Sequence, residues 1–289
     1  LAALLIAPLF ALALAKAGDG AVAGATLPEG FFNFFTTPQD IISGLGWGLG
    51  YFGMPHIIIR FMSLKSEKEL RKSSVIGISW TTIILIMSAL TAVAGRLYLG
   101  EIDDPSTVFI TMVRRIFPAL VSGLLLSAIL SAAMSTADSQ LLAASSAFAS
   151  DVYKPVIRKK ASDSEMLWAG RIVVIVIAVV ALMIASDPNS GSIMGLVENA
   201  WGVFGAAFGP VILLSLFWKR LTFGGTVAGI AAGAAVDILW LVFLSSTDIY
   251  EIVPGFAAGL LAAVVVSLLS KGPGKDVEDL FDRAVDLKS

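Results

Sequence analysis

Apolar residues run through this chain in long blocks separated by polar loops. Eight blocks fall at approximately 1–15, 38–63, 75–98, 119–152, 166–186, 192–217, 225–245 and 250–270. Stretches such as Val75 to Gly95 and Ile172 to Ser186 are nearly free of charge, and a bilayer core of about 30 Å takes roughly 20 helical residues to cross. The runs are continuous rather than alternating, which excludes a membrane β-barrel. With no water at membrane depth to satisfy the main chain, each block is predicted to be helical. Two loops carry elements of their own: a short external surface helix over 104–117, capped by Asp104 or Ser106, and a surface helix over the acidic tail 276–289.

Composition sharpens this picture. The chain is 57% hydrophobic and 15% charged, against about a quarter charged in soluble domains. Its net charge of −2 offers no basic stripe, so nucleic acid is not an expected partner; membrane lipid is. Without Cys and with one His, neither a disulfide framework nor a zinc site forms. No nucleophile–base pair stands out, so an enzyme is disfavoured.

The charged loops alternate in sign. Lys65, Lys68, Arg71 and Lys72, then Lys154, Arg158, Lys159 and Lys160, then Lys219 and Arg220, then Lys271 and Lys275 form one set. Acidic residues dominate the other set, with Arg114 and Arg115 as its basic exception. The basic set is expected in the cytoplasm, which makes 1–270 a transmembrane region and 271–289 a cytoplasmic tail. The chain opens on Leu1 with no positively charged leader. Its first block therefore reads as the end of a longer spanning helix, and the sequence as a fragment whose upstream spans are missing.

Three places invite chemistry. In block 38–63, Gly44, Gly46, Gly48, Gly50 and Gly53 precede Pro55, each weakening a helix by about 1 kcal/mol and Pro by about 3. Such a stretch is either a broken helix lining a cavity or a close packing of small residues. Trp47, Tyr51 and Pro55 share a face wherever the helix persists; they wall a solute pocket or form an ordinary aromatic pair. In block 119–152, Ser127, Ser131, Ser135 and Ser139 make a polar ribbon, with Ala132, Thr136 and Asp138 beside it. Hydroxyls and carbonyls suit Na⁺; the alternative is back-bonding to carbonyls one turn earlier. Asp138 and Asp237 are ionisable residues inside spans, which are functional candidates by default. No polar neighbour at helical spacing partners Asp237, so an aqueous outer vestibule or a protonated acid is its expected setting.

The segments GLGWGLGYFGMPHIIIRFM (44–62), SAILSAAMSTADSQLL (127–142), WGVFGAAFGPVILLSLFWKR (201–220) and YEIVPGF (250–256) carry a further signal. In this order and spacing, the sequence resembles the sodium/solute symporter family, its sodium/proline branch most closely. The resemblance implies an all-α polytopic membrane protein, a fragment of an inverted-repeat, leucine-transporter-like bundle of thirteen spans, of which this chain supplies the sixth to the thirteenth. It implies sodium-coupled uptake of a small solute, proline foremost, across the plasma membrane, with the C-terminus inside. By the same likeness Trp47, Tyr51 and Pro55 surround the substrate. Ala132, Ser135 and Thr136 supply half of the principal Na⁺ site, and Asp138 and Ser139 mark a place for a second Na⁺. The other halves belong to the missing N-terminal spans. The same scaffold serving a sugar, carboxylate or vitamin, or a transporter-like sensor domain, are the alternative readings.

Overall fold

The computed structural model describes residues 1–20, 22, 24–33, 37–187 and 190–286, apart from the side chains of Glu67, Lys68 and Asp286. Helices occupy every predicted block: α1 Ala2–Ala17, α2 Pro38–Gly50, α3 Pro55–Met62, α4 Glu67–Leu99, α5 Val108–Ile116, α6 Ala119–Ala147, α7 Asp163–Ser186, α8 Ile193–Phe217, α9 Phe223–Phe243, α10 Ile252–Leu269 and α11 Lys275–Asp286. Among the described residues, six helices are long and apolar enough to cross a membrane: α4, α6 with its continuation to Ile157, and α7 to α10. The first block gives the shorter α1, and block 38–63 divides into α2 and α3.

Boundaries move for local reasons. Helix α4 begins well before Val75 because Glu67 to Leu70 and the following Arg71 and Lys72 are good helix formers. It stops at Gly100, whose φ of 75° favours a residue without Cβ. Helix α6 widens into a π-helical turn over Phe148–Ile157, which contains Pro155; the missing Pro N–H is easier to accommodate where the α ladder is already interrupted.

The chain folds as two compact units, Leu1–Asn33 with Leu64–Ile177, and Phe34–Ser63 with Ala178–Ser289. In the first, Ala3, Ala7 and Ala11 form a stripe at i+4 spacing on α1. It meets Ala94, Tyr98 and Leu99 of α4, Met112 and Val113 of α5, and Leu125 of α6. The short helix expected over 104–117 is present, started by Asp104, whose carboxylate accepts from the Ser106 N–H at 3.0 Å. Its side-chain and main-chain bonds from Ser106 hold the Asp104 carboxyl below the usual range. This helix does more than lie on a surface, because Met112 and Val113 are fully buried in the core.

In the second unit α8, α9 and α10 pack together, and α2 lies against α8 and α10. The buried face of α9 reads Gly225, Gly229, Gly233, Asp237 at successive i+4 steps. A Cβ at Gly233 would fall 2.1 Å from the Ala206 carbonyl oxygen, so main chain touches main chain here, as in small-residue membrane interfaces. The predicted tail helix is α11; its last three predicted residues, 287–289, lie outside the described residues. Asp282 on α11 accepts from Lys219 Nζ at 2.5 Å, and this raises the lysine above its ordinary pKa.

Candidate functional site

The oxygen ribbon of α6 lies in the first unit. Residues 131 to 138 are exposed and Ser139 is half-buried. Thr136 Oγ1 donates to the Ala132 carbonyl at 3.1 Å, and Ser139 Oγ donates to the carbonyls of Thr136 at 2.8 Å and Ser135 at 3.2 Å. The hydroxyls therefore back-bond one turn, the pattern expected of Ser and Thr in apolar helices. That bonding also lays the Ala132 carbonyl and the Thr136 hydroxyl side by side, with Ser135 exposed next to them. Neutral oxygens of this kind match a hard monovalent cation. Among the described residues no group of three or more His, Cys, Asp or Glu side chains is placed to hold a metal.

The aromatic cluster lies in the second unit and begins with α2. Thr37 caps this helix, accepting from the Asp40 N–H at 3.1 Å, and Pro38 occupies the first turn. The helix ends at Gly50; after a turn, Pro55 starts α3. Trp47 is half-buried between Trp201 and Tyr250, with ring centroids 6.0 and 5.6 Å away. Tyr51 stands edge-on to Trp201 at 4.8 Å and is 51% exposed. Trp47 and Tyr51 thus flank one indole, whereas the exposed Pro55 heads a separate helix.

The glycine-rich stretch both breaks the helix, between α2 and α3, and packs closely through its small residues. A Cβ at Gly50 would lie 1.8 Å from the Trp201 indole nitrogen, and one at Gly53 would lie 2.3 Å from the Phe204 carbonyl oxygen. These two glycines let α8 approach. Gly44 and Gly48 face open space instead.

Two acidic residues complete the unit. Asp237 is fully buried and Glu251 nearly so, and Asp237 Oδ1, Asp237 Oδ2 and Glu251 Oε1 have no hydrogen-bond partner among the described residues. An aqueous vestibule around Asp237 is therefore not what the fold builds. The neighbour missing from the sequence reading is Glu251, and the residues that seat the pair are glycines. From a Cβ placed on Gly202, Asp237 Oδ1 would be 3.1 Å and Glu251 Oε1 3.3 Å away, and a Cβ on Gly255 would meet the Asp237 Cβ at 2.9 Å. Glu251 also lines a cleft of about 570 Å³ with Asp40, Ser43, Glu198, Asp248 and Tyr250. Tyr250 ties its walls together: its N–H donates to Ser43 Oγ at 3.0 Å and its hydroxyl to the Glu198 carbonyl at 2.7 Å.

The model of the Sodium:solute symporter family matches residues 13–233. The chain belongs to the sodium:solute symporter family. Among curated members it is 43% identical over 279 residues to the high-affinity proline transporter PutP of Bacillus subtilis, covering 94% of this chain and 59% of that protein. It is 45% identical over 248 residues to the osmoregulated proline transporter OpuE of the same organism, covering 84% of this chain and 50% of the relative. It is 45% identical over 276 residues to the sodium/proline symporter of Haemophilus influenzae, covering 91% and 55%. The chain thus spans between half and three-fifths of the length of these relatives. Its fold is that of a Na⁺-coupled sialic acid symporter solved in a substrate-bound outward-open state. That match has a TM-score of 0.68 at 18% identity and covers 94% of this chain and 60% of the other. Among the described residues the chain is all-α, and it is a polytopic membrane protein from a family of transporters rather than enzymes.

Proposed function

We propose that the protein containing this chain takes up proline with Na⁺. The observation that carries this reading is the 43–45% identity, over most of this chain, to three transporters named for proline. The driving force is the Na⁺ gradient together with the membrane potential, about 2.3 kcal/mol per charge per 100 mV. The Ala132 carbonyl and the hydroxyls of Ser135 and Thr136 serve as Na⁺ ligands, which needs the back-bond of Thr136 to open or be shared with the ion. Asp138 and Ser139 take a second Na⁺. Trp47, Tyr51 and Pro55 line the solute pocket, the exposed Tyr51 face and the free main chain at the helix break offering apolar and polar contacts.

In this reading spans outside this chain supply the remaining ligands, 1–270 forms the transmembrane region, and 271–289 lies in the cytoplasm. The protein resides in the plasma membrane, surrounded by lipid. Uptake of labelled proline by cells making the full-length protein tests the proposal. The rate should fall to background when Na⁺ is replaced by choline. Na⁺-independent uptake, or no competition of excess proline with the transported solute, overturns it.

A further inference from the structure

Burying a carboxylate without a partner costs several kcal/mol, and placing a second one beside it adds like-charge repulsion in a low dielectric. Asp237 on α9 and Glu251 at the start of α10 form such a pair. Their oxygens converge on the space beside Gly202, where a Cβ would sit 3.1 and 3.3 Å from them. Neither takes part in an ion pair among the described residues. The side chains lining the adjoining cleft add Asp40, Glu198 and Asp248, and none is basic. Among the described residues every charged group lining the cleft beside the pair has the same sign. They supply no positive charge to compensate it.

We propose that Asp237 and Glu251 together bind one small monovalent cation, H⁺ or Na⁺, which enters through the acidic cleft between Asp40, Glu198 and Asp248. Three features support this occupant. The pair is too poor in ligands for a divalent ion, which takes six or more oxygens. The cleft is lined by Glu251, the less buried member, together with Asp40, Glu198 and Asp248, so its acidic walls attract a cation. Gly202, whose missing side chain leaves room for an oxygen of each carboxyl, clears this space at the expense of helix propensity. The site lies in the α8–α9–α10 unit and shares no residue with the oxygen ribbon of α6, so it stands or falls independently of the proposed Na⁺ ligands there.

Infrared difference spectroscopy of the full-length protein in lipid bilayers tests the inference, first by titrating pH without Na⁺ and then by adding Na⁺ at fixed pH. A bound H⁺ gives a protonated-carboxyl band at neutral pH that shifts down in D2O and is lost in Asp237→Asn. A bound Na⁺ gives a shift of the carboxylate stretches on Na⁺ addition that is lost in the same variant. Glu251→Gln, at the wetter end, provides the same comparison should Asp237→Asn fail to assemble. Gly202→Ala, which sets a methyl group between the two carboxyls, should displace whichever signal is present. Wild-type spectra with neither signal, or spectra superimposable on those of a folded Asp237→Asn or Glu251→Gln protein, overturn the proposal.

Discussion

The indole N–H of Trp201 on α8 donates to the main-chain carbonyl of Trp47 in the last turn of α2, at 3.0 Å. The closing turn of a helix leaves carbonyls without intrahelical donors, and here a side chain from another helix supplies one. The bond fixes the rim of the break from which Tyr51 projects. Trp201→Phe keeps the ring contacts and removes the donor, so it should lower stability by about 1 kcal/mol. Thermal unfolding of the full-length protein in detergent checks this.

Two neighbouring glycines should respond in opposite ways. Gly50→Ala drives a methyl into Trp201 and should destabilise by about 1–3 kcal/mol, the cost of overpacking. Gly48→Ala meets nothing within 4 Å and should be neutral, or stabilise by up to about 1 kcal/mol through helix propensity. Equal melting temperatures for the two variants would remove the close-approach explanation of Gly50.

Tyr51→Ala should raise the proline concentration for half-maximal uptake about tenfold, equivalent to ~1.4 kcal/mol, with a smaller effect on maximal rate. Uptake measured across a proline series in the full-length protein decides. An unchanged half-saturation point would place Tyr51 outside the pocket.

Thr136→Ala should raise the Na⁺ concentration for half-maximal transport about tenfold, since a desolvated cation does not easily replace a lost oxygen. Apparent proline affinity should fall as well, because two ligands that favour the same state are linked reciprocally. Asp138→Asn gives a contrast. A role in binding a second Na⁺ would flatten the sodium activation curve, whereas a structural role would lower only the amount of protein.

The tail contact makes a pH-dependent prediction. The folded-state pKa of Lys219 is raised by Asp282, so its contribution is complete below the ordinary lysine pKa and disappears as pH rises through the raised value. Lys219→Ala should accelerate amide exchange across 275–286 at neutral pH while leaving α9 unchanged. Exchange equal to wild type would mean that the contact does not hold the tail helix.

How legible all this was depended on whether a feature is local. Apolar runs reveal their own length, so the spans were readable, whereas the glycines ahead of Pro55 left a helix break and close packing as equal readings. Polar helix formers such as Arg71 and Lys72 hid the true start of α4, because hydropathy does not record helix propensity. The ribbon of α6 was visible because its residues recur at one spacing. Glu251 was not visible as the neighbour of Asp237: the two meet only when α9 and α10 pack, and the signal that places them together is the absence of side chains at Gly202 and Gly255. Trp201 was hidden for the same reason, since its partner is a carbonyl whose availability depends on where α2 ends.

The i+4 run of Gly225, Gly229 and Gly233 has a mechanical consequence. Backbones in direct contact cannot slide past one another by gradual side-chain adjustment, since each step would separate several contacts at once. The three-helix unit of α8, α9 and α10 therefore behaves as a stiff block under load. Between Gly50 and Pro55 the helical ladder is interrupted instead, so a change of angle there breaks fewer main-chain bonds than one within the block.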